Sequence, residues 1–228
     1  GGGDAEAAAR AVMQTGEFDY AWNTQINPDL QAEMATGGKG VFLNGFGTLV
    51  ERIEMNMTDP SADLPEGERS TVAHPHPILS DIKVRKALSM AIDRQILVDV
   101  GYGAAGRPTC NLVPAPEMFA SDNTECIPHQ MDAAKALLDE AGWTVGADGI
   151  REKDGKKLHL LYQTSVNPVR QDFQALIKDW WTELGVDVEL KTVDASVFFG
   201  GDAGSPDTFQ KFYADVEMYA NNFDGTDP

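Results

Sequence analysis

The chain alternates between segments in which apolar residues recur with helical spacing and shorter segments in which apolar and polar residues alternate. The strongest helical pattern starts at Asn167-Pro168, a capping residue and a first-turn proline, and stops at Gly185. Its apolar positions are Val169, Phe173, Leu176, Ile177, Trp180 and Leu184. This pattern predicts an amphipathic helix with one buried face, and we expect Trp181, beside that face, to be buried as well.

The remaining patterns predict further helices and short strands. Helices are expected at residues 4–15, 29–35, 81–100, 133–141, 195–200 and 206–212. Strands are expected at residues 18–22, 41–44, 53–56, 158–163, 186–193 and 215–219, with a small hairpin around residues 150–153. Because strands separated by crossover helices pair in parallel, this order predicts an α/β fold. The expected architecture is a mixed sheet flanked by helices, in one domain spanning residues 1–228.

Two segments show neither pattern. Residues 58–80 are rich in proline and charge and are predicted to form a surface excursion without regular structure. Residues 102–127 are predicted to be mostly loop and contain the two cysteines of the chain, Cys110 and Cys126. A disulfide closing a loop of this length would contribute about 3 kcal/mol, and the alternative is two free thiols in a reducing compartment. An even pair flanking an irregular loop favours the disulfide.

Charge excludes some classes of partner. The chain has 18 Lys and Arg against 36 Asp and Glu, so 18 − 36 gives a net charge of −18. Binding to nucleic acids or to anionic membrane surfaces depends on clustered basic residues, so neither partner is expected. Hydrophobic residues make up 42% and charged residues 24% of the chain, which is the ordinary composition of a folded globular protein.

Candidate catalytic motifs are weak, and we expect no cofactor and no bound metal. His74-Pro75-His76 could bring two imidazoles to a metal, which leaves a metal-dependent hydrolase as the rival hypothesis. No third ligand with suitable spacing is evident, however. The glycines over residues 101–106 fit a dinucleotide-binding motif, but they follow a predicted helix where that motif requires a strand.

Polar and aromatic residues collect near the predicted strand ends. Trp22 and Asn23 end one predicted strand, and Asn221 and Asn222 follow the last one. Ligands of open α/β sheets usually bind beyond the carboxyl ends of the strands. These residues are therefore candidates for a site that binds a small molecule.

Several motifs together resemble the peptide-type solute-binding proteins of bacterial ABC importers, the family 5 proteins that bind oligopeptides, dipeptides and nickel. The signature lies in ILSDIKVRKALSMAIDR, residues 78–94. Further similar segments follow in the order of the family, at residues 103–108, 136–143, 148–155 and 181–190. The segment GEFDYAWN, residues 16–23, is also similar.

This resemblance implies a two-lobed receptor that closes on a solute and delivers it to the permease and ATPase of an importer. It implies a binding protein without enzymatic activity, periplasmic or anchored to the cell surface as a lipoprotein, which we expect to be a monomer. Receptors of this family are longer than the present chain. We therefore expect the chain to be the second lobe of the clamp, without the first lobe. A similar lobe that signals to a membrane partner without transport is a further alternative.

The resemblance also implies individual site residues. In peptide-binding relatives, the first Asp of a DxxDP segment binds the α-ammonium group of the ligand, and Asp224 occupies that position in this chain. A turn residue at a hinge is the alternative role for Asp224. The loop in which dipeptide binders carry an Arg contains Thr164 and Asn167 but no Arg, and Asn221 stands where an aromatic residue is common. These departures imply a roomier, more polar pocket, for a peptide or another amine-bearing solute.

Overall fold

The structure is a computed structural model, and it describes residues 4–22, 24–202 and 204–222. Its helices are α1 (Ala5–Arg10), α2 (Pro28–Ala35), α3 (Ile82–Met90), α4 (Arg94–Gly101), α5 (Met131–Glu140), α6 (Pro168–Leu184) and α7 (Ala195–Phe198). Its strands are β1 (Leu49–Met55), β2 (Thr144–Val145), β3 (Arg151–Lys153), β4 (Lys156–Lys157), β5 (His159–Ser165), β6 (Asp187–Val193) and β7 (Val216–Asn222). A π-helical turn at Ala11–Thr15 continues α1.

The main sheet has four strands in the order β1-β7-β5-β6. Strand β5 pairs in parallel with both β6 and β7, whereas β1 pairs with β7 in antiparallel orientation. The long helix α6 connects β5 to β6, as expected for parallel neighbours. A separate small sheet contains β2, β3 and β4 and includes the predicted hairpin. The mixed sheet with flanking helices confirms the predicted fold class.

Helix α6 supplies much of the core. Its buried face includes Phe173, Ile177 and Trp181, which follow one another at four-residue steps. The indole Nε1 of Trp181 donates a hydrogen bond to the carbonyl oxygen of Leu88 at 3.0 Å, so the ring is buried with its polar atom satisfied. The predicted burial of Trp181 is confirmed, whereas Trp180, which the pattern assigned to the buried face, is only half-buried.

Local hydrogen bonds set the boundaries of the helices. The side chain of Asn167 accepts from Arg170 N and starts α6, and Gly185, with φ of 94°, ends it. Asp93 accepts from Gln95 N and Ile96 N and starts α4. The single helix predicted over residues 81–100 is therefore wrong, since Asp93 begins a second helix where its pattern continues.

Three other predicted elements are also wrong. Residues 18–22 and 41–44 are not strands, and residues 206–212 form turns where a helix was expected. Most apolar side chains in the two supposed strands, among them Tyr20 and Leu43, are exposed. Alternation over four or five residues therefore did not indicate a half-buried strand, because among the described residues no strand pairs with either segment.

The proline-rich segment of residues 58–80 has no helix or strand, apart from an isolated bridge between Thr58 and Pro75. Its last part, however, is not on the surface, because His76, Ile78 and Leu79 are buried. The His76 Nδ1 atom accepts from the backbone N–H groups of Ile78 and Leu79, at 3.0 and 2.9 Å. Its Nε2 atom lies 2.8 Å from Asp215 Oδ1, so Nε2–H donates to that carboxylate. This histidine attaches the end of the segment to the sheet.

The predicted disulfide is present. Cys110 and Cys126 are bonded, with their Cα atoms 5.7 Å apart, within the irregular segment between α4 and α5. Among the described residues, no helix combines the length and the hydropathy that crossing a membrane requires.

The buried position of His76 generates a stability prediction. We expect His76→Leu to lower the free energy of unfolding by about 2–4 kcal/mol, because it leaves two backbone N–H groups and the Asp215 carboxylate without their buried partner. His74→Leu is the matched control, since the imidazole of His74 is partly exposed and its Nε2 atom lies 2.8 Å from the exposed Glu68 carboxylate. That control should change stability by less than about 1 kcal/mol. Urea unfolding at neutral pH measures both, and equal losses would contradict the structural role of His76.

Glu217, in β7, generates a prediction about pH. Burial raises the pKa of its carboxyl to about 8 from 4.5, against the opposing effect of a hydrogen bond from Gln163 Nε2 at 3.1 Å. A raised folded-state pKa gives stability that is fully present below about pH 4.5 and is lost as the pH rises through about 8. We therefore expect Glu217→Gln to gain stability relative to wild type as the pH rises across this window. Urea unfolding at several pH values measures this gain. The control Glu125→Gln, at an exposed position, should show the pH dependence of wild type.

Candidate functional site

An open cavity of about 1310 Å³ lies beside the main sheet. It is lined by β1, α4, the loop that follows α4, the turn from β5 to α6, and the segment preceding α2. Several lining side chains are apolar and exposed, namely Trp22, Phe46, Leu112, Val166 and Phe199. Its volume exceeds the range of about 300–1000 Å³ that is common for pockets of drug-sized ligands.

A buried ion pair forms part of the cavity wall. Arg170, in the first turn of α6, donates from Nε to Glu51 Oε1 at 3.0 Å and from Nη2 to Glu51 Oε2 at 3.2 Å. Its Nη1 donates to Ser165 Oγ at 2.8 Å, at the end of β5. The side chains of Arg170 and Glu51 are only 8% and 11% exposed. The two-pronged geometry and low exposure make this a fixed pair, and it neutralises the carboxylate in the wall.

Hydrogen bonds extend from this pair to the segment before α2. The hydroxyl of Tyr102 donates to Glu51 Oε2 at 3.0 Å and accepts from Gln25 Nε2 at 3.0 Å. Asn167 Nδ2 in turn donates to Gln25 Oε1 at 2.6 Å. Burial, followed by the neighbouring Glu51 carboxylate, raises the pKa of Tyr102 far above its ordinary value, so the phenol stays neutral and acts as a donor.

The local sequence explains how these groups meet. Strand β5 ends at Ser165, and Asn167 caps the helix that begins with Pro168, so the chain turns sharply at the edge of the sheet. This turn places Asn167 and Arg170 beside Glu51 of β1. Polar groups from distant parts of the chain thereby meet at the carboxyl end of a parallel strand, where ligands of open α/β sheets usually bind.

The structure places the predicted site residues at different positions. Trp22, Asn167 and Asn222 line the cavity, and Asn222 Oδ1 accepts from Thr48 Oγ1 at 3.1 Å. Thr164 is fully buried, and its hydroxyl donates to the carbonyl oxygen of Met218 at 2.6 Å, which connects β5 to β7.

Asn221 is exposed on β7 opposite Val50 and is not a lining residue. Asn23 and Asp224 lie outside the described residues. Cys110 and Cys126 also line the cavity, so the disulfide lies at its edge. The ligand-binding role of each predicted residue stays a prediction.

Sequence reasoning missed the centre of this site. Glu51, Tyr102 and Arg170 were not candidates, and Glu51 and Arg170 are 119 positions apart in the chain. The one available signal was an arginine in the first turn of the helix, where the positive end of the helix dipole favours acidic residues. That signal does not identify the partner.

The two histidines of the rival hypothesis have separate partners. His74 Nε2 lies 2.8 Å from the carboxylate of Glu68, whereas His76 bridges Asp215 and the backbone of residues 78 and 79. Within the part of the chain that the structure describes, no group of three or more His, Cys, Asp or Glu side chains is placed to hold a metal. The described geometry gives the metal-dependent hydrolase no support.

Comparisons with known proteins agree with the resemblance seen in the sequence. Protein XP55 of Streptomyces lividans is 35% identical over 115 residues, which cover 50% of this chain and 21% of that protein. The oligopeptide-binding protein AppA of Bacillus subtilis is 32% identical over 130 residues, which cover 52% of this chain and 23% of that protein. The chain thus matches less than a quarter of the length of either relative.

The solved structure of AppA from Bacillus subtilis, in complex with a nonapeptide, shares the fold with a TM-score of 0.61 at 21% identity. The alignment covers 96% of this chain and 39% of that one. The family model described as bacterial extracellular solute-binding proteins, family 5 Middle, matches residues 2–228. With nearly every residue inside that match, the chain belongs to family 5 of the bacterial extracellular solute-binding proteins.

Proposed function

We propose that this chain is the ligand-capturing second lobe of a solute-binding protein that serves an ABC importer. The observation that carries the proposal is the open cavity of about 1310 Å³ at the end of β5, in a chain whose family binds solutes. Part of the wall of that cavity is an ion pair whose groups are hydrogen-bonded to their neighbours, which suits a preorganised binding surface. We assign no reaction to the chain, which would act by reversible capture.

The mechanism we propose is closure of two lobes around the solute. Each lobe would supply contacts that the other lacks, so a ligand held between them favours the closed state. The solved relative is longer than this chain by more than twofold, since the alignment covers 39% of it. Residues 1–228 would accordingly form one lobe, and the other half of the cleft would come from the first lobe.

The solute we propose is a peptide or another amine-bearing small molecule. The relatives give one reason, because AppA is an oligopeptide-binding protein. The size of the cavity gives another, as it can accommodate a ligand longer than a single amino acid. We assign the ammonium group of the solute to Asp224, whose carboxylate would form a charge-assisted hydrogen bond in a cleft with little water. Asn167, Asn222 and Trp22 would contribute further contacts from the cavity wall.

The cellular setting follows from the same proposal. A capture lobe of this kind would belong to a periplasmic receptor or a surface lipoprotein, acting as a monomer and docking on the permease subunits of the importer. The alternative is a lobe of the same fold that signals to a membrane partner without transport. Uptake of labelled peptide by cells with and without the gene distinguishes the two, because only the importer role requires loss of uptake.

We expect the isolated 228-residue chain to bind peptide at least about tenfold more weakly than the full-length gene product, because one lobe supplies only part of the contacts. Isothermal titration calorimetry of both proteins with the same mixture of oligopeptides measures the difference. Circular dichroism of the isolated chain is the control for folding. Equal affinity of the two proteins would contradict capture by closure.

We expect Asp224→Asn in the full-length protein to weaken binding of peptides with a free amino terminus by about 10- to 100-fold, the loss typical of a charge-assisted hydrogen bond. The same peptides with an acetylated amino terminus should bind wild type and variant alike. Asp227→Asn, three residues away, is the matched control and should retain wild-type affinity. If Asp224→Asn leaves the affinity unchanged, the carboxylate is a hinge residue and not a ligand contact.

A further inference from the structure

The basic residues of the chain are distributed unevenly around the cavity. The sequence contains 8 arginines and 10 lysines. Four of the arginines line the cavity, whereas its described lining includes no lysine. Arginine differs from lysine in presenting a planar fork of donors that matches a carboxylate. The described lining also holds four carboxylates, those of Asp4, Glu6, Glu51 and Asp194, so its arginines do not make it a basic surface. An arginine of this wall can bind a carboxylate of a ligand only where its donors are not already held by the protein.

Three of the four arginines are already committed to partners within the protein. Arg170 is held by Glu51 and Ser165, as described above. Arg94 donates to the carbonyl oxygen of Ser89 at 3.1 Å and to the hydroxyl of the same residue at 2.8 Å, and burial lowers its pKa. Arg52 forms an ion pair with the carboxylate of Glu54. These side chains fix the wall of the cavity.

Arg107 is different. Its side chain is exposed, and within the described residues its guanidinium makes one long hydrogen bond, from Nη2 to the carbonyl oxygen of Pro114 at 3.5 Å, and no ion pair. The guanidinium carbon lies 4.7 Å from the centre of the Phe46 ring, which is itself 53% exposed at the cavity. Stacking on an aromatic face orients the planar group and leaves its edge donors available.

A disulfide and two hydrogen bonds constrain the loop that follows Arg107. The disulfide between Cys110 and Cys126 closes the loop. The side chains of Asn111 and Ser121 strengthen it further, since Asn111 Nδ2 donates to the Ser121 carbonyl oxygen and the Ser121 hydroxyl donates to Asn111 Oδ1, both at 2.6 Å. A constrained loop reduces the loss of conformational entropy when a ligand binds.

We propose that Arg107, stacked on Phe46, is a subsite for a carboxylate group of the captured solute. This inference rests on the proposed function and adds the chemistry of one part of the ligand. Two edge N–H groups of the guanidinium can donate in parallel to the two oxygens of a carboxylate. The carboxylate could be the chain end of a peptide or an acidic side chain, and the subsite accepts either by the same geometry.

The test uses an alanine-based pentapeptide with a central glutamate as the probe and the full-length gene product as the receptor. Four forms of the peptide combine a free or amidated carboxyl end with glutamate or glutamine at the centre. Calorimetry should show that wild type loses about tenfold or more in affinity when one of the two carboxylates is removed, and the sensitive position identifies the source. Arg107→Met should abolish this difference, and Arg107→Lys should keep part of it because the charge remains without the fork.

Arg69→Met is the matched control. Arg69 also stacks on an aromatic ring, that of Tyr213 at 3.8 Å, but it lines a separate groove. This variant should keep the preference of wild type for the carboxylate.

Two results would overturn the subsite while capture of the solute stands. One is binding of all four peptides by wild type within about twofold, and the other is an equal loss of preference in Arg107→Met and Arg69→Met, which would indicate a general charge effect. Failure of wild type to bind any of the four peptides would overturn the peptide-capture function and the subsite with it.

Discussion

The bidentate pair between Arg170 and Glu51 is the interaction on which the geometry of the cavity depends. It joins the first turn of α6 to β1, and through Tyr102 it reaches α4 and the segment before α2. Removing two charges from water costs several kcal/mol for each ion, and the mutual attraction repays this only when geometry and further hydrogen bonds are good. Ser165 and Tyr102 supply those additional bonds. The ion pair therefore fixes the relative positions of the elements around the cavity and adds little net stability.

This arrangement also determines what the cavity can offer a ligand. Glu51 lies beside the first turn of α6, and its two oxygens are occupied by Arg170 and Tyr102. A ligand approaching this part of the wall would have to break these hydrogen bonds before it could contact the Glu51 carboxylate, and the buried Arg170 would then lose its partner. We therefore expect charged groups of a ligand to be bound by exposed lining residues, whose side chains keep donors or acceptors available. Arg107 meets that condition among the arginines of the wall.

The sequence predicted those elements that have a long apolar pattern or start and stop residues that agree with the pattern. Helix α6 has seventeen residues with a cap, a first-turn proline and a terminal glycine, and it lies between two strands that pair in parallel, so every local signal agrees. Residues 18–22 and 41–44 have only a short alternation, which a loop with exposed apolar side chains also produces. The two adjacent tryptophans show the limit of the helical period, since 100° of rotation per residue leaves the boundary of a buried face uncertain by one position.

For the candidate site, the division lies between local and long-range information. Asn167 could be predicted because capping is a local effect, and the disulfide could be favoured because two cysteines allow one intramolecular pairing. The contact between Glu51 and Arg170 joins residues 119 positions apart and depends on how β1 is added to the sheet. Strand β1 pairs with β7 in antiparallel orientation although most of the chain separates the two strands, and no pattern within the seven residues of β1 specifies that partner.

The contrast between the acidic chain and its arginine-lined cavity limits how a solute can be selected. At physiological ionic strength, charges separated by more than about 8 Å are largely screened, so the net charge of −18 acts on a ligand only near the surface. Within that range it attracts ammonium groups and repels carboxylates. A carboxylate is therefore recognised only after the solute has entered the cavity, where a guanidinium within hydrogen-bonding distance outweighs the weak repulsion of the surroundings. A solute that carries both groups is favoured twice. Its ammonium group is attracted to the acidic surface, and inside the cavity its carboxylate accepts hydrogen bonds from Arg107.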